Sequence, residues 1–95
     1  MNKYELGVIV KTGPEEDSAA AELEKVQALV TRFGGTIEKV DDWGKRRLAY
    51  PIQKLTEGAY AFITFSSEAG APAEIEERLG IMESVLRFLL VRLDD

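Results

Sequence analysis

The chain has 95 residues, of which 45% are hydrophobic and 31% charged, and its net charge is −5 at neutral pH. This length suits a single domain over residues 1–95, and the lack of cysteine and histidine excludes a disulfide framework, a zinc ribbon and the commonest catalytic groups. No apolar run approaches the roughly 18 residues that span a bilayer, and no signal-peptide pattern is present. We therefore expect a cytoplasmic protein without membrane association, cofactor, metal or catalytic residue.

Two different periodicities predict the first strand and the first helix. Residues 3–11 alternate in hydrophobicity, which indicates a half-buried strand. After a break at residues 12–14, apolar residues recur at helical spacing over residues 15–33, and three acidic residues occupy the first turn, where the helix dipole favours them. Gly34-Gly35 predict the end of this helix, because glycine readily adopts the left-handed cap conformation.

Three further strands and a second helix complete the chain. Residues 36–50 are predicted to form a strand that bends around Asp42-Trp43-Gly44, and residues 58–67 the strand that follows it. A short helix is predicted over residues 72–80, since Pro72 suits a first helical turn. Residues 85–93 are rich in branched and aromatic side chains and are predicted to form the last strand.

This order of elements predicts an α+β fold. Right-handed crossovers place both helices on one face of the sheet, which gives a ferredoxin-like two-layer sandwich, β-α-β-β-α-β, with a four-stranded antiparallel sheet. The side chains expected to face the helices are Tyr4, Leu6, Val8, Val10, Ala61, Ile63, Phe65, Phe88 and Leu90.

The opposite face of the predicted sheet is not polar. Neighbouring exposed apolar residues on an open sheet suggest a docking surface, whereas ordinary strand composition shielded by long side chains is the alternative. The residues that we expect to contact a protein partner there are Ile9, Tyr60, Phe62, Leu89 and Val91.

Three consecutive cations follow Gly44 in an otherwise acidic chain. Lys45, Arg46 and Arg47 precede the apolar segment 48–52, so they mark the place where a polyanion could be held, unless they are merely solvated charge at a hairpin tip. Consecutive residues on a regular strand point to opposite faces, but a bend at Gly44 could let both arginines reach outward. Leu48 and Tyr50 are expected to pack and orient the hairpin.

The sequence gives little support to the hypothesis that this topology serves an enzyme or a metal carrier. The loop after the first strand ends in acidic residues, which would repel a phosphate, and it carries no cysteine pair for copper. The acidic pairs Asp41-Asp42 and Glu76-Glu77 are better explained as solvated charge than as metal ligands or acid/base groups.

An RNA recognition motif is the alternative function with the same topology. Its third strand carries aromatic residues that stack on unpaired bases, and residues 58–65, GAYAFITF, match the later part of that pattern. The opening basic–glycine pair of that pattern is missing, with Gly58-Ala59 in its place. Tyr4 falls on the face that packs against the helices, and Ile9 is not a stacking residue.

The chain resembles bacterial small-subunit ribosomal protein six over its whole length. The characteristic segment of a glycine, basic residues and Leu-Ala-Tyr-Pro-Ile is matched by residues 44–52, GKRRLAYPI. The opening Tyr-Glu is matched at Tyr4-Glu5, and the element before the hairpin is matched at Ile37-Glu38-Lys39-Val40.

This resemblance implies a structural component of the small ribosomal subunit, and we expect the isolated chain to be a monomer. It implies binding to the central domain of 16S rRNA together with small-subunit ribosomal protein eighteen. The residues that we expect to contact rRNA are Lys45, Arg46, Arg47 and Arg87. A net negative charge argues against strong autonomous RNA binding, so the partner should be basic.

Overall fold

The protein is described by a computed structural model that covers residues 2–11, 18–52 and 55–93. Its elements are β1 (Asn2–Val10), α1 (Ser18–Arg32), β2 (Thr36–Ile52), β3 (Leu55–Ser67), α2 (Ala71–Gly80) and β4 (Val85–Arg92). The four strands form one antiparallel sheet in the order β2-β3-β1-β4. The predicted ferredoxin-like fold is confirmed.

The core lies between the sheet and the two helices. Alternation in β1 is regular, with every second residue from Tyr4 to Val10 buried. The apolar residues of α1 and α2 meet them, since Val26, Val30 and Ile75 are completely buried. The predicted inward set is confirmed: Tyr4, Leu6, Val8, Val10, Ala61, Ile63 and Phe65 are buried, and Phe88 and Leu90 pack partly buried against them.

Glycine ends α1 as predicted. Gly34 has a φ of 89°, which glycine adopts without a Cβ clash. Its N–H donates to the carbonyl oxygen of Thr31 at 3.0 Å. The next N–H, of Gly35, donates to the carbonyl oxygen of Val30 at 2.9 Å. These two bonds form a Schellman motif, which satisfies carbonyls that the helix itself leaves without donors.

The predicted boundaries differ from the structure mainly in the β2–β3 hairpin. After a register shift beyond Arg47, Ile52 pairs with Leu55, so β3 begins three residues before the predicted position 58. Leu48 is buried, as its predicted packing role requires, while the side chain of Tyr50 lies outside what the structure describes. The predicted first turn of α1, residues 15–17, also lies outside the described residues.

The second helix begins where its proline allows. Gly70 is the N-cap residue, and Pro72 occupies the first turn, where no intrahelical N–H is needed. The helix ends at Gly80, as predicted, and the N–H of Ile81 donates to the carbonyl of Arg78 at 3.2 Å. Within the described ranges, neither helix is long and apolar enough to cross a membrane.

Candidate functional site

Three rows of paired residues make up the sheet face that lies opposite the helices, which we call the open face. Each row crosses all four strands, because residues paired between neighbouring strands project to the same side. The rows are Lys39–Thr64–Glu5–Val91, Asp41–Phe62–Gly7–Leu89 and Gly44–Tyr60–Ile9–Arg87. The five residues expected to bind a partner therefore all lie on one surface, as predicted, while their role in binding stays a prediction.

An apolar groove runs along the middle of the open face. Gly7 has no side chain, so its row has a gap between Phe62 and Leu89, and the groove lies in that gap. Ile9 and Tyr60 also line the groove. The ring of Phe62 leans into the gap, since a Cβ on Gly7 would lie 2.9 Å from Phe62 Cε1. Leu89 is 69% exposed at the groove edge, so this apolar surface is open to solvent or to a partner.

Trp43 belongs to the same face, although the sequence did not place it there. Its ring centroid lies 4.9 Å from that of Phe62 with an interplanar angle of 59°, and its indole Nε1 donates to Asp41 Oδ2 at 3.0 Å. The residue is nevertheless 48% exposed. The sequence did offer one indication of its importance: Trp43 is the only tryptophan of the chain, and it lies beside a glycine in a predicted bend.

A bulge in β2 positions Trp43. The register with β3 shifts between Asp42 and Gly44, which leaves Trp43 unpaired on the bulged strand. Gly44 has a φ of 74°, and its N–H donates to Asp42 Oδ1 at 2.9 Å. Arg46 Nε donates to the Trp43 carbonyl oxygen at 3.2 Å. The bend predicted around residues 42–44 is therefore confirmed.

Beyond the bulge, residues 44–52 of β2 pair with residues 55–60 of β3, and we call this part of the sheet the β2–β3 ribbon. The three cations alternate between its two faces. Pairing is regular from Gly44 to Arg47, so Arg46 projects to the open face, and Lys45 and Arg47 project to the opposite face. The bend precedes the arginines and does not turn them to one side. Both are exposed, so the ribbon presents a cation on each face.

Two of these cations contact neighbouring side chains. Lys45 Nζ lies 3.5 Å from Glu57 Oε2, an exposed ion pair of the kind that contributes little to stability. The Arg46 guanidinium lies 5.9 Å from the centroid of the Trp43 ring, within the range of a cation–π contact. Of the three, Arg46 is the one that the bulge holds in place.

Arg87 lies apart from the other predicted rRNA-binding residues. It occupies the β4 end of the row that begins at Gly44, and β3 and β1 lie between them. Neighbouring strands are roughly 4.8 Å apart, so three strand spacings put the backbone positions of Gly44 and Arg87 about 14 Å apart. The four residues therefore do not form one compact patch, although Arg46 and Arg87 share the open face.

A second depression on the open face, next to the groove, is polar. Glu5, Asp41 and Lys39 line it together with Trp43, Phe62 and Thr64. We call it the acidic–aromatic pocket.

An ion-pair cluster lies near the start of β1 and the end of β3. Lys3 Nζ lies 3.2 Å from Glu38 Oε1, and the Ser66 hydroxyl donates to Glu38 Oε2. The Ser66 hydroxyl and then the Lys3 ammonium lower the pKa of Glu38, because both stabilise the charged carboxylate. The open face thus carries charges of both signs around its apolar groove.

This geometry gives little support to the alternative function, that of an RNA recognition motif. Tyr4 is buried and stacks on Phe65 with ring centroids 5.6 Å apart, so β1 offers no exposed aromatic at that position. On β3, Phe62 is partly covered by Trp43. These aromatic rings pack against other side chains, whereas a base-stacking platform requires exposed ring faces.

Replacing Gly44 by alanine should destabilise the bulge. A left-handed conformation costs a residue with a Cβ roughly 1–2 kcal/mol, so we expect Gly44→Ala to lower the free energy of unfolding by about that amount in urea titrations. Gly80→Ala is the matched control, because its added Cβ meets nothing within 4 Å and its φ is not positive. Equal stability of the two variants would contradict the strained geometry at residue 44.

Comparison with known proteins agrees with this architecture. Residues 3–92 match the family described as Ribosomal protein S6. The small ribosomal subunit protein bS6 of Alkaliphilus oremlandii is 44% identical over 94 residues, covering 99% of each chain. The bS6 protein of Paenarthrobacter aurescens is 41% identical over 95 residues, covering all of this chain and 94% of the relative.

A solved structure supports the same assignment. The crystal structure of 30S ribosomal protein S6 from Thermotoga maritima superposes with a TM-score of 0.87 at 28% sequence identity, covering 97% of this chain and 87% of that one. The match extends through all six elements, and the sequence relatives span nearly the full chain. The chain belongs to the bacterial ribosomal protein S6 family.

Proposed function

We propose that this chain, as a single domain over residues 1–95, is a structural protein of the small ribosomal subunit that binds the central domain of 16S rRNA together with ribosomal protein eighteen. The observation that carries the proposal is one sheet with an uncovered apolar groove and, beside it, a cationic ribbon. The groove suits a protein partner and the ribbon suits phosphate groups. Membership of the family supports a structural rather than catalytic role.

Charge explains why the two partners should bind jointly. The chain carries 17 acidic against 12 basic residues, so its overall field opposes RNA. Only local cations favour phosphate contact, and Lys45 already has a carboxylate neighbour in Glu57. A basic partner on the open face would neutralise part of the repulsion. We therefore expect weak RNA binding by the isolated monomer and much stronger binding by the pair.

The rRNA side of the proposal rests on the β2–β3 ribbon. Arg46 and Arg47 present planar guanidinium groups on opposite faces, and such groups bind phosphate oxygens in bidentate fashion. Lys45 shares the face of Arg47, while Arg87 would make a separate contact across the open face. These contacts would position the protein without reading sequence, because phosphates are alike in every nucleotide.

Reconstitution from purified components tests the joint binding. A central-domain rRNA fragment is titrated with this chain alone, with ribosomal protein eighteen alone, and with both. We expect the affinity of the pair to exceed that of either protein, and co-purification of the two proteins to survive RNase treatment. Equal RNA affinity with and without the partner, or loss of co-purification after RNase, would contradict the proposal.

Truncation of Leu89 should weaken binding of the protein partner. Leu89 is 69% exposed at the groove, so Leu89→Ser should leave the fold intact and cost more than about 1 kcal/mol of partner affinity, since apolar anchors dominate such patches. Phe62→Ser should act in the same direction, although it also removes the contact with Trp43. Isothermal titration with ribosomal protein eighteen measures the affinities.

Ile81→Ser is the control for this measurement. Ile81 is 72% exposed, like Leu89, but lies in the turn between α2 and β4 and does not line the groove. It should leave the affinity unchanged. If Leu89→Ser and Phe62→Ser bind the partner as tightly as Ile81→Ser does, the interface lies elsewhere on the molecule.

A further inference from the structure

We propose that the acidic–aromatic pocket receives an arginine side chain of the basic protein partner. This inference rests on the proposed docking of that partner on the open face, and it assigns a chemistry to one part of the surface. The pocket is formed where β2, β3 and β1 lie side by side, and its lining combines two carboxylates with an indole ring. The lining residues are Glu5, Lys39, Asp41, Trp43, Phe62 and Thr64.

The indole wall of the pocket is held in place before any partner arrives. Phe62 packs against the ring at a centroid distance of 4.9 Å, and Asp41 accepts the indole N–H at 3.0 Å. The backbone of Trp43 is fixed by the bulge and by the bond from Arg46. Because Trp43 stays 48% exposed, its ring offers surface to a ligand at little further cost in conformational entropy.

The charge of the pocket favours a cation. Glu5 and Asp41 contribute two carboxylates against the single ammonium of Lys39. Only Oδ2 of Asp41 is used by the indole, so acceptor positions remain for further donors. The same charges would repel an RNA phosphate, which assigns the pocket to the protein partner and not to rRNA.

Guanidinium fits this combination of groups better than ammonium does. It is planar, stacks on aromatic faces, and donates hydrogen bonds in a fork that matches a carboxylate. The Trp43 ring already takes part in one such contact, with Arg46 at 5.9 Å. A second guanidinium approaching from the pocket would find the indole and a carboxylate on adjacent walls.

The position of the pocket explains how it would act with the groove. Phe62 lines both depressions, so one segment of the partner lying across that ring would place an apolar side chain in the groove and an arginine in the pocket. The apolar contact would supply most of the affinity. The arginine would fix orientation, as charge complementarity commonly does at interfaces.

Substitutions at adjacent carboxylates test the proposal. Asp41→Asn removes a pocket charge, and we expect it to weaken binding of purified ribosomal protein eighteen by about tenfold at low salt, the scale of removing one charge-assisted hydrogen bond. Asp42→Asn is the matched control, because it makes the same charge change next door and keeps an Oδ1 acceptor for the Gly44 N–H. We expect it to stay within about twofold of the parent.

Lys39→Gln gives a prediction of opposite sign. Its ammonium is the one cation among the pocket residues, so removing it should strengthen partner binding severalfold and more so at low salt. A merely structural role for the lining would not produce a gain. In a ¹⁵N-labelled sample, the single indole N–H resonance should shift when unlabelled partner is added, because Trp43 is the only tryptophan.

The outcomes separate this inference from the docking proposal. If Leu89→Ser weakens binding while Asp41→Asn, Asp42→Asn and Lys39→Gln all match the parent, the partner docks on the open face and the arginine pocket is wrong. If Leu89→Ser also has no effect, the docking surface itself is wrong. If Asp41→Asn leaves partner affinity unchanged but tightens the rRNA complex, the pocket faces RNA and the inference is overturned.

Discussion

Leu79→Ala is expected to lower the free energy of unfolding by roughly 2–5 kcal/mol, the range measured for removing a large aliphatic side chain from a packed core. Leu79 is 1% exposed in the last turn of α2, and it belongs to the cluster that joins the helices to the sheet. Truncation removes its apolar contacts and leaves a cavity that the rigid sheet can close only in part. Equilibrium unfolding in urea measures the change.

The same substitution at an exposed leucine separates burial from residue type. Leu89→Ala removes the same atoms at a position that is 69% exposed, so its cost should be below about 0.5 kcal/mol. Val30→Ala, in the buried stripe of α1, should fall with Leu79→Ala, though lower in the range because fewer atoms are removed. If Leu79→Ala and Leu89→Ala cost the same, the helix faces are assigned incorrectly.

The sequence predicted the core because periodicity and burial are directly linked. A strand that packs one face against helices must alternate, and β1 does so from Tyr4 to Val10 without exception. The Schellman end of α1 was equally predictable, since Gly34 adopts a backbone conformation that few other residues tolerate. Local chemistry specified both features, so no knowledge of tertiary contacts was needed.

The geometry of the open face was less predictable because it depends on register across strands. The sequence indicated a bend near Gly44, but only the pairing with β3 shows that Trp43 becomes the bulged residue and packs on Phe62. The acidic–aromatic pocket likewise joins residues from three strands. Alternation assigns a residue to a face, whereas its neighbours on that face depend on how the strands slide relative to one another.

Register also changed the interpretation of the cations. A bend at Gly44 was expected to let Arg46 and Arg47 reach outward together, but regular pairing resumes directly after the bulge and keeps them on opposite faces. Arg87 was expected to contact rRNA near them. Two intervening strands separate it from the ribbon. Consecutive charges in a sequence therefore do not define one binding patch on a strand.

Replacing Arg46 and Arg47 together by alanine is expected to weaken joint binding to the rRNA fragment by about 10- to 100-fold near physiological salt, if each guanidinium contributes one charge-assisted phosphate contact. The slope of log affinity against log salt should become shallower by about 0.7–0.9 for each phosphate interaction that the substitutions remove. The weakening should be similar for fragments of different base sequence, because phosphate contacts position a protein without reading bases.

A matched double variant controls for net charge. Arg32→Ala with Arg78→Ala removes the same two charges from the helix layer, where both guanidinium groups lie near the ring of Phe33 at 6.0 and 5.8 Å. It should leave the salt slope unchanged, since these residues lie on the helices and not on the ribbon. Single variants add a further distinction: Arg46→Ala also removes the bond to the Trp43 carbonyl, so it alone should disturb partner binding. If the ribbon variant retains both affinity and slope while remaining folded, the charge that follows Gly44 is solvated and rRNA is held by other residues.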